Sequence, residues 1–445
     1  MRRLGGAIGL ALGLALAGAG CAGGAQRLAR NGALTDLGAE IQAQIDAGSL
    51  TRGEAARIAE ATLAHEIESA GGSSGVSRIR EMRACARAMD GALARREELG
   101  DAVAVEAAWA RALYGAMSDG DARAYATAAD ARLRAIAPLG YVRDEDAGVR
   151  RGAMNDPLAE ARRAALRAAA KAKDVGDVDE LVRVARLDPD PLLRSEAVRA
   201  LGAIGGDVVA ARLRDLWTSG DDGVRGEIGV AWAGPTLFGH GGEEALRTIV
   251  GTEHGAGALE AAAAILRVRP RGEGGPSPEL RNLAIALLAR ATSSDARRGR
   301  LHALAVVPLE ADRADLAPLL DAVRAAAKDD DLEVRVSALA RLLESPSDRA
   351  RAVADLEGVA GRGVSGPSTR ITRRALFALA TAGDQRIQAW LELELKSRDP
   401  EARLSALVGL VALSRAPRGA GLLADPDPSV RTRAACALVS AARRP

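Results

Sequence analysis

The sequence predicts an all-α protein whose C-terminal two-thirds is an α-solenoid of stacked helix–turn–helix units. Three observations predict it: a composition that favours helices, an Asp-x-x-x-Arg frame that recurs along the chain, and Asp-Pro pairs that mark helix starts.

The 445 residues are 48% hydrophobic and 27% charged, a globular balance rather than a disordered one. Aromatics make up only 2%, while Ala, Leu, Val and Arg dominate. Strands favour β-branched and aromatic residues; Ala, Leu, Arg and Glu favour helices. A core of small side chains buries little area per residue, so closely stacked thin helices suit it better than two large layers.

The frame appears at Asp146/Arg150, Asp190/Arg194, Asp221/Arg225, Asp331/Arg335, Asp399/Arg403 and Asp427/Arg431. One residue before each Arg stand Val149, Leu193, Val224, Val334, Ala402 and Val430. Three after it stand Ala153, Ala197, Ile228, Ala338, Ala406 and Ala434, and seven after it Leu201, Trp232, Leu342, Leu410 and Leu438. Offsets of four line one face of a helix. In the longer gap between Asp221 and Asp331 the frame survives at Arg281 and Arg300 without an Asp of its own.

Asp190-Pro191, Asp399-Pro400 and Asp427-Pro428 each place an N-cap acceptor before a proline at the first helical position, and Asp156-Pro157 repeats the signal. The Asp also complements the positive end of the helix dipole. The Arg one turn on can reach back to its own Asp or across to the Asp of the next unit. A second helix precedes each marked one, over 179–187, 208–217, 316–328 and 386–396. The unit is therefore a helical hairpin, repeating after 31 residues from Asp190 to Asp221 and 28 from Asp399 to Asp427.

The stretch from Asp188 to Leu201, with Asp188, Asp190, Pro191, Arg194, Ala197, Ala200 and Leu201 in register, resembles HEAT repeats of the short bacterial kind related to phycobilisome-lyase repeats. Asp425, Asp427, Pro428, Val430, Arg431, Ala434, Ala437 and Leu438 give a near-copy 237 residues on. The resemblance covers 144–445 and is degenerate between 234 and 325. It implies a HEAT-like solenoid in which Asp and Arg are structural, so no activity carries over. Each unit alone cannot bury its apolar face; stacking makes a continuous core. Gly-rich breaks at 234–242, 271–278 and 361–367 read as rim loops.

The start of the chain has a different character. Met1-Arg2-Arg3 precedes an apolar run over 4–19, and Cys21 follows at once. The layout reads as a secretory signal over 1–20, too short for a spanning helix. Leu16-Ala17-Gly18-Ala19-Gly20-Cys21 resembles a bacterial lipobox, although Gly18 stands where that family has an apolar residue. The resemblance implies lipidation of Cys21, a lipidated tether over 21–33 and, since Ala22 is not Asp, outer-membrane sorting facing the periplasm. Cleavage after Ala19 without lipid is the alternative. Loss of 1–20 removes Arg2 and Arg3 and no acid, so Lys+Arg falls from 61 to 59 against 59 Asp+Glu. A net charge near zero argues against a polyanion binder.

Residues 34–140 read as an N-terminal helical region without the frame, with helices over 34–45, 52–68, 77–99, 103–117 and 122–136 and a loop over 71–75. It can cap the first repeat or stand as its own bundle. A continuous solenoid keeps Cys85 and Cys436 apart, so the expectation is two unbridged thiols.

Catalytic and metal signals are weak. Gly71-x-Ser73-x-Gly75 has the letters of a nucleophile elbow but lies between helices. Gly361-x-Gly363-x-x-Gly366 follows a helix rather than a strand, so it lacks the dinucleotide context. His65-Glu66 has Ser69 where a zinc helix needs its second His. His302 reads as a satisfied helix residue, His240 as a loop residue open to binding, and His254 as isolated. Arg150, Arg151, Arg162, Arg163, Arg167, Lys171 and Lys173 read as a solvated helix face. No cofactor, no metal and no nucleic acid is implied. The expectation is a non-catalytic protein-interaction scaffold anchored at the bacterial envelope through lipid on Cys21, with a protein partner. The alternative is an enzyme-associated or nucleic-acid-processing HEAT-like protein in the cytoplasm, which requires that the first residues not be a signal.

Overall fold

The structure is a computed structural model that describes residues 23–268, 275–309, 313–364 and 369–443. Among the described residues every regular element is helical. The helices are α1 (23–30), α2 (Leu34–Asp46), α3 (Arg52–Glu68), α4 (Gly72–Glu81), α5 (Asp90–Glu97) and α6 (Ala102–Tyr114). Then come α7 (Asp119–Ala124), α8 (Ala131–Arg134), α9 (Ala147–Ala153), α10 (Ala159–Ala172), α11 (Val178–Leu187), α12 (Pro191–Ile204), α13 (Gly206–Ser219) and α14 (Asp222–Ala233). They are followed by α15 (Gly242–Thr252), α16 (Ala256–Arg267), α17 (Pro278–Thr292), α18 (Arg297–Val306), α19 (Ala317–Ala326), α20 (Leu332–Leu342) and α21 (Arg349–Val364). The last are α22 (Arg370–Thr381), α23 (Gln388–Glu394), α24 (Pro400–Ala412) and α25 (Pro428–Ala442).

The chain divides into two compact units: a central one, Ser118–Val359, and a terminal one, Met1–Met117 with Ala360–Pro445. This division cuts across the expected boundaries at 140 and 144. Residues 118–140 go with the central repeats, and α1–α6 go with the last ones.

In the central unit, α10, α12, α14, α16, α18 and α20 pack in succession as one layer. In the other layer α11 packs on α13, and α15, α17 and α19 follow one another. Each hairpin joins the two layers, which is the α-solenoid arrangement the periodicity predicts. Small residues set the spacing. A Cβ at Gly229 would lie 2.6 Å from the Ala261 Cβ, so α14 and α16 approach as closely as they do because position 229 carries none. Trp232 fills the frame position that other repeats give to Leu, and its ring stands 5.8 Å from that of Trp217.

The terminal unit joins the two chain ends in one core. The long α3 packs on α25, α2 packs on the 3-10 segment Ala416–Ala424, and Met82–Ala88, also 3-10, packs on α25. Buried Ile58, Leu63, Met82, Leu407, Leu423 and Leu438 belong to a single cluster.

Several expectations are corrected here. Cys85 and Cys436 are disulfide-bonded, with Cα atoms 5.3 Å apart across a sequence separation of 351. The N-terminal helices lie against the last repeat, and this brings the two thiols together. The expected tether at 21–33 is helical over 23–30, with Ala25 and Ala29 buried; Cys21 and the signal at 1–20 lie outside the described residues. The loop expected at 71–75 is the first turn of α4. There Gly75 sits so tightly that a Cβ would meet the Ala70 carbonyl carbon at 2.9 Å and Val103 at 3.0 Å. The helix expected over 77–99 is split by the 3-10 segment Met82–Ala88. With three residues per turn, that segment brings Met82, Cys85 and Ala88 onto one face toward the core. The helix expected over 122–136 breaks because Asp130 accepts from the Arg132 and Leu133 N–H groups and starts α8.

Replacing both Cys85 and Cys436 by serine is expected to cost about 2–5 kcal/mol, since the bridge closes a very long loop. Urea unfolding of the oxidised wild type against the double variant measures it; equal midpoints would mean the bridge contributes nothing.

Candidate interaction groove

The frame residues build an ionic ladder between repeats. Each second Asp is an N-cap: Asp190 accepts from Leu192 N (2.9 Å), Asp221 from Val224 N (2.9 Å), Asp331 from Glu333 N (2.9 Å), Asp399 from Glu401 N (3.0 Å) and Asp427 from Ser429 N (2.9 Å). The Arg does not turn back to that Asp. Arg194, Arg335, Arg403 and Arg431 donate to the carbonyl six residues before them, on Asp188 (2.7 Å), Asp329 (2.8 Å), Ser397 (2.9 Å) and Asp425 (2.7 Å).

In several repeats the guanidinium then reaches forward to an acid of the following repeat. Arg194 pairs with Asp221 (2.6 Å), Arg162 with Asp188 (2.7 Å) and Arg403 with Asp425 (2.8 Å). Arg281 pairs with Asp315 (2.7 Å) and Arg300 with Asp329 (3.3 Å). These last two repeats lack an Asp of their own, and the geometry shows why none is needed: the carboxylate comes from the neighbour. At Arg150 the same pattern is fully buried, with Asp177 2.6 Å away, while Asp146 is held by Arg123 instead of capping α9. Arg225 departs from the ladder; it donates to the Trp217 carbonyl (2.9 Å) and stands over that ring. The first Asp of each Asp-x-Asp pair has a second role that sequence reasoning missed. Asp188, Asp329 and Asp425 also accept from the N–H two residues on, at 2.9, 2.8 and 2.9 Å, which fixes the turn.

In the α24–α25 repeat Arg431 pairs with Glu66 of α3 (2.7 Å), not with an acid of another frame unit. Glu66 also takes Arg78 (2.7 Å), and its side chain is only 2% exposed. Here α3 occupies the place of a next repeat without sharing its sequence pattern.

With these charges consumed between helices, a groove of about 660 Å³ on the exposed side of α12, α14, α16 and α18 stands apart. Its polar lining includes Asp222, Glu227, Glu260, His254, His302 and Arg298. Glu227 is held by Arg199 (2.5 Å), and His302 Nε2 lies 3.6 Å from Glu260. Asp222, His254 and Arg298 make no side-chain contact with a charged group among the described residues. Gly226 and Gly299 form part of the floor. A Cβ there would meet nothing closer than 3.4 Å and 3.9 Å, so helix packing does not demand a glycine at either position. A glycine inside a helix costs about 1 kcal/mol relative to alanine; what these two provide is open space.

The HEAT-repeat family model matches residues 147–231, the stretch holding the Arg150, Arg162, Arg194 and Arg225 rungs. Over that stretch the chain is similar to HEAT repeats. No curated protein sequence matches the chain. Among solved structures, an engineered protein from the Northeast Structural Genomics Consortium is 20% identical, with 74% of this chain and 100% of that one covered at a TM-score of 0.28.

The remaining candidate residues take structural places around the helical repeats. Arg163 pairs with Glu196 (3.2 Å), Arg167 with Glu196 (3.6 Å) and Lys171 with Asp119 (2.5 Å). The basic run at 150–173 is therefore largely paired with acids: Arg150 is buried, whereas Lys171 and Lys173 stay exposed. Lys173 ends α10 in the left-handed region. His240 Nδ1 is 2.8 Å from Asp207, and His65 Nδ1 is 3.0 Å from the Arg30 carbonyl. Ser73 lies in the first turn of α4. Helix α21 continues through Gly361 and Gly363 to Val364, and Gly366 lies outside the described residues. Among the described residues there is no group of three His, Cys, Asp or Glu able to hold a metal, and no helix is long and apolar enough to cross a membrane.

The ion pairs make the helical stack acid-sensitive. Hydrogen bonds from Arg297 hold Asp331 below the usual carboxylate range, Arg373 does the same for Asp399, and the Val224 N–H for Asp221. Arg324, with Ser345 and Ser347, lowers Asp348 to about 2. An unfolded Asp titrates near ~3.9. These depressed groups therefore contribute stability that is complete above that value and is lost as pH falls below it, for Asp348 through about 2. The Asp348 share is about 1 kcal/mol once solvent around the half-exposed Arg324 is allowed for. Denaturant midpoints are expected to hold steady above pH ~5 and fall below pH ~4, with a shallower fall in Asp348→Asn. A midpoint that rises on acidification would contradict the ladder.

Proposed function

We propose that this HEAT-repeat scaffold is a non-catalytic envelope lipoprotein, acylated at Cys21, that holds a segment of a partner protein in the α12–α18 groove. The observation that carries the binding half is the groove itself, where Asp222, His254 and Arg298 stand without charged partners among the described residues, while most frame arginines are paired between repeats. A partner segment of mixed charge would satisfy them.

Two features support the envelope half. The chain starts with a basic, apolar and small-residue order that ends at Cys21. The Cys85–Cys436 bridge belongs to oxidising compartments, and with those two cysteines paired Cys21 is the one left over. Such a placement has the protein facing the periplasm from the outer membrane.

The test joins two measurements. Mass spectrometry of the mature N-terminus should find acylated Cys21; an intact Met1 would remove the anchor. Crosslinking in intact membranes should capture a specific partner with the wild type and at least about ten-fold less with Gly226→Leu/Gly299→Leu, a loss of about 1.4 kcal/mol. Equal capture by a well-folded groove variant would rule the groove out as the binding site.

A further inference from the structure

We infer that the α1 face of the terminal unit, bearing Arg27 and Arg30, rests directly on an anionic phospholipid surface. The inference depends on acylation of Cys21 and adds to it where the body stands.

The first support is chain length. From Cys21 to Ala25 the chain runs four residues, at most ~14 Å when fully extended. Ala25 is fixed: it is 0% exposed, Ala29 is 2% exposed, and both belong to the main core of the terminal unit. The exit from α1 is fixed as well. Ala33 N donates to the Leu28 carbonyl (3.0 Å) and Asn31 N to the Arg27 carbonyl (3.1 Å). Gly32, with φ +66°, passes under the His65 ring so closely that any Cβ would strike it. An anchor at Cys21 therefore leaves no free linker, and α1 stays within one or two helix diameters of the headgroups.

The second support is charge. Ala25 and Ala29, one turn apart, face inward; Arg27 and Arg30, three apart, share the outer face and are exposed. Most arginines of the repeats are paired with carboxylates, but neither of these is paired among the described residues. Asp36, the nearest acid in sequence, is exposed in the first turn of α2 and pairs with neither. Two unpaired guanidiniums held against a membrane fit phosphate headgroups, as bidentate or single donors.

The experiment uses the full-length acylated protein reconstituted in vesicles of phosphatidylethanolamine and phosphatidylglycerol. With Cys85 and Cys436 bridged and Cys21 acylated, Asn31→Cys offers one free thiol for a nitroxide. Relaxation of that label by a nickel-chelating lipid reads its closeness to the headgroups. Strong relaxation is expected. It should weaken when about twenty Gly/Ser residues, spanning about 25 Å on average, are inserted after Ala22. In the long-linker protein the remaining docked fraction should fall about five-fold for each of Arg27→Glu and Arg30→Glu, and likewise in phosphatidylcholine alone. Weak relaxation of an acylated protein, or no response to the arginines or to lipid charge, would overturn the inference while leaving the anchor intact. A protein without acyl chains on Cys21 would overturn both.

Discussion

Replacing Leu339 by aspartate is expected to destabilise the central unit by about 4 kcal/mol or more, because it forces an unpaired carboxylate into an apolar site. Leu339 lies on α20, four residues after Arg335, and is 1% exposed between Val336 and Leu342 of the same buried face. A repeat contacts mainly its neighbours, so a broken rung weakens the hairpins on both sides. Thermal melting should fall by many degrees. The milder change Arg335→Ala removes the Nε–Asp329 carbonyl bond (2.8 Å) and should cost about 1–2 kcal/mol. Unchanged melting of Leu339→Asp would place that residue on the outside and invalidate the frame.

Glu66→Ala is expected to cost the terminal unit about 3–5 kcal/mol. The carboxylate receives Arg431 on one oxygen and Arg78 on the other, each at 2.7 Å, and all three side chains are buried or nearly so. Removing it leaves two guanidiniums in the α3–α25 interface without a counter-charge. Glu66→Gln keeps the shape and part of the hydrogen bonding and should cost less. A double-mutant cycle of Glu66→Ala with Arg431→Ala, read by urea unfolding, should give a coupling of about 1–3 kcal/mol. Strict additivity would mean that α3 does not complete the last repeat.

These two positions differ in how readable they were. Leu339 follows from counting along one helix: Asp331 caps, Arg335 comes one turn on, and the next turn faces the core. The N-caps at Asp190, Asp399 and Asp427 were legible for the same reason, since a cap and its N–H lie within three residues. Glu66 offered no such signal. It stood out beside His65 only as half of a metal motif that was not there, and the acid slot it fills is defined by Arg431, 365 residues away. The groove was illegible too, because Asp222, His254 and Arg298 come from three repeats and share no spacing.

The sequence by itself determined the all-α class, the hairpin repeat and the starts of the Asp-Pro-capped helices at 190, 399 and 427, because caps, prolines and apolar spacing act over a few residues of one chain segment. Tertiary structure decided which acid each arginine takes, that the N-terminal helices complete the last repeat, and that Cys85 meets Cys436. Those outcomes depend on how hairpins stack over hundreds of residues, where small packing differences accumulate and no local pattern records the result.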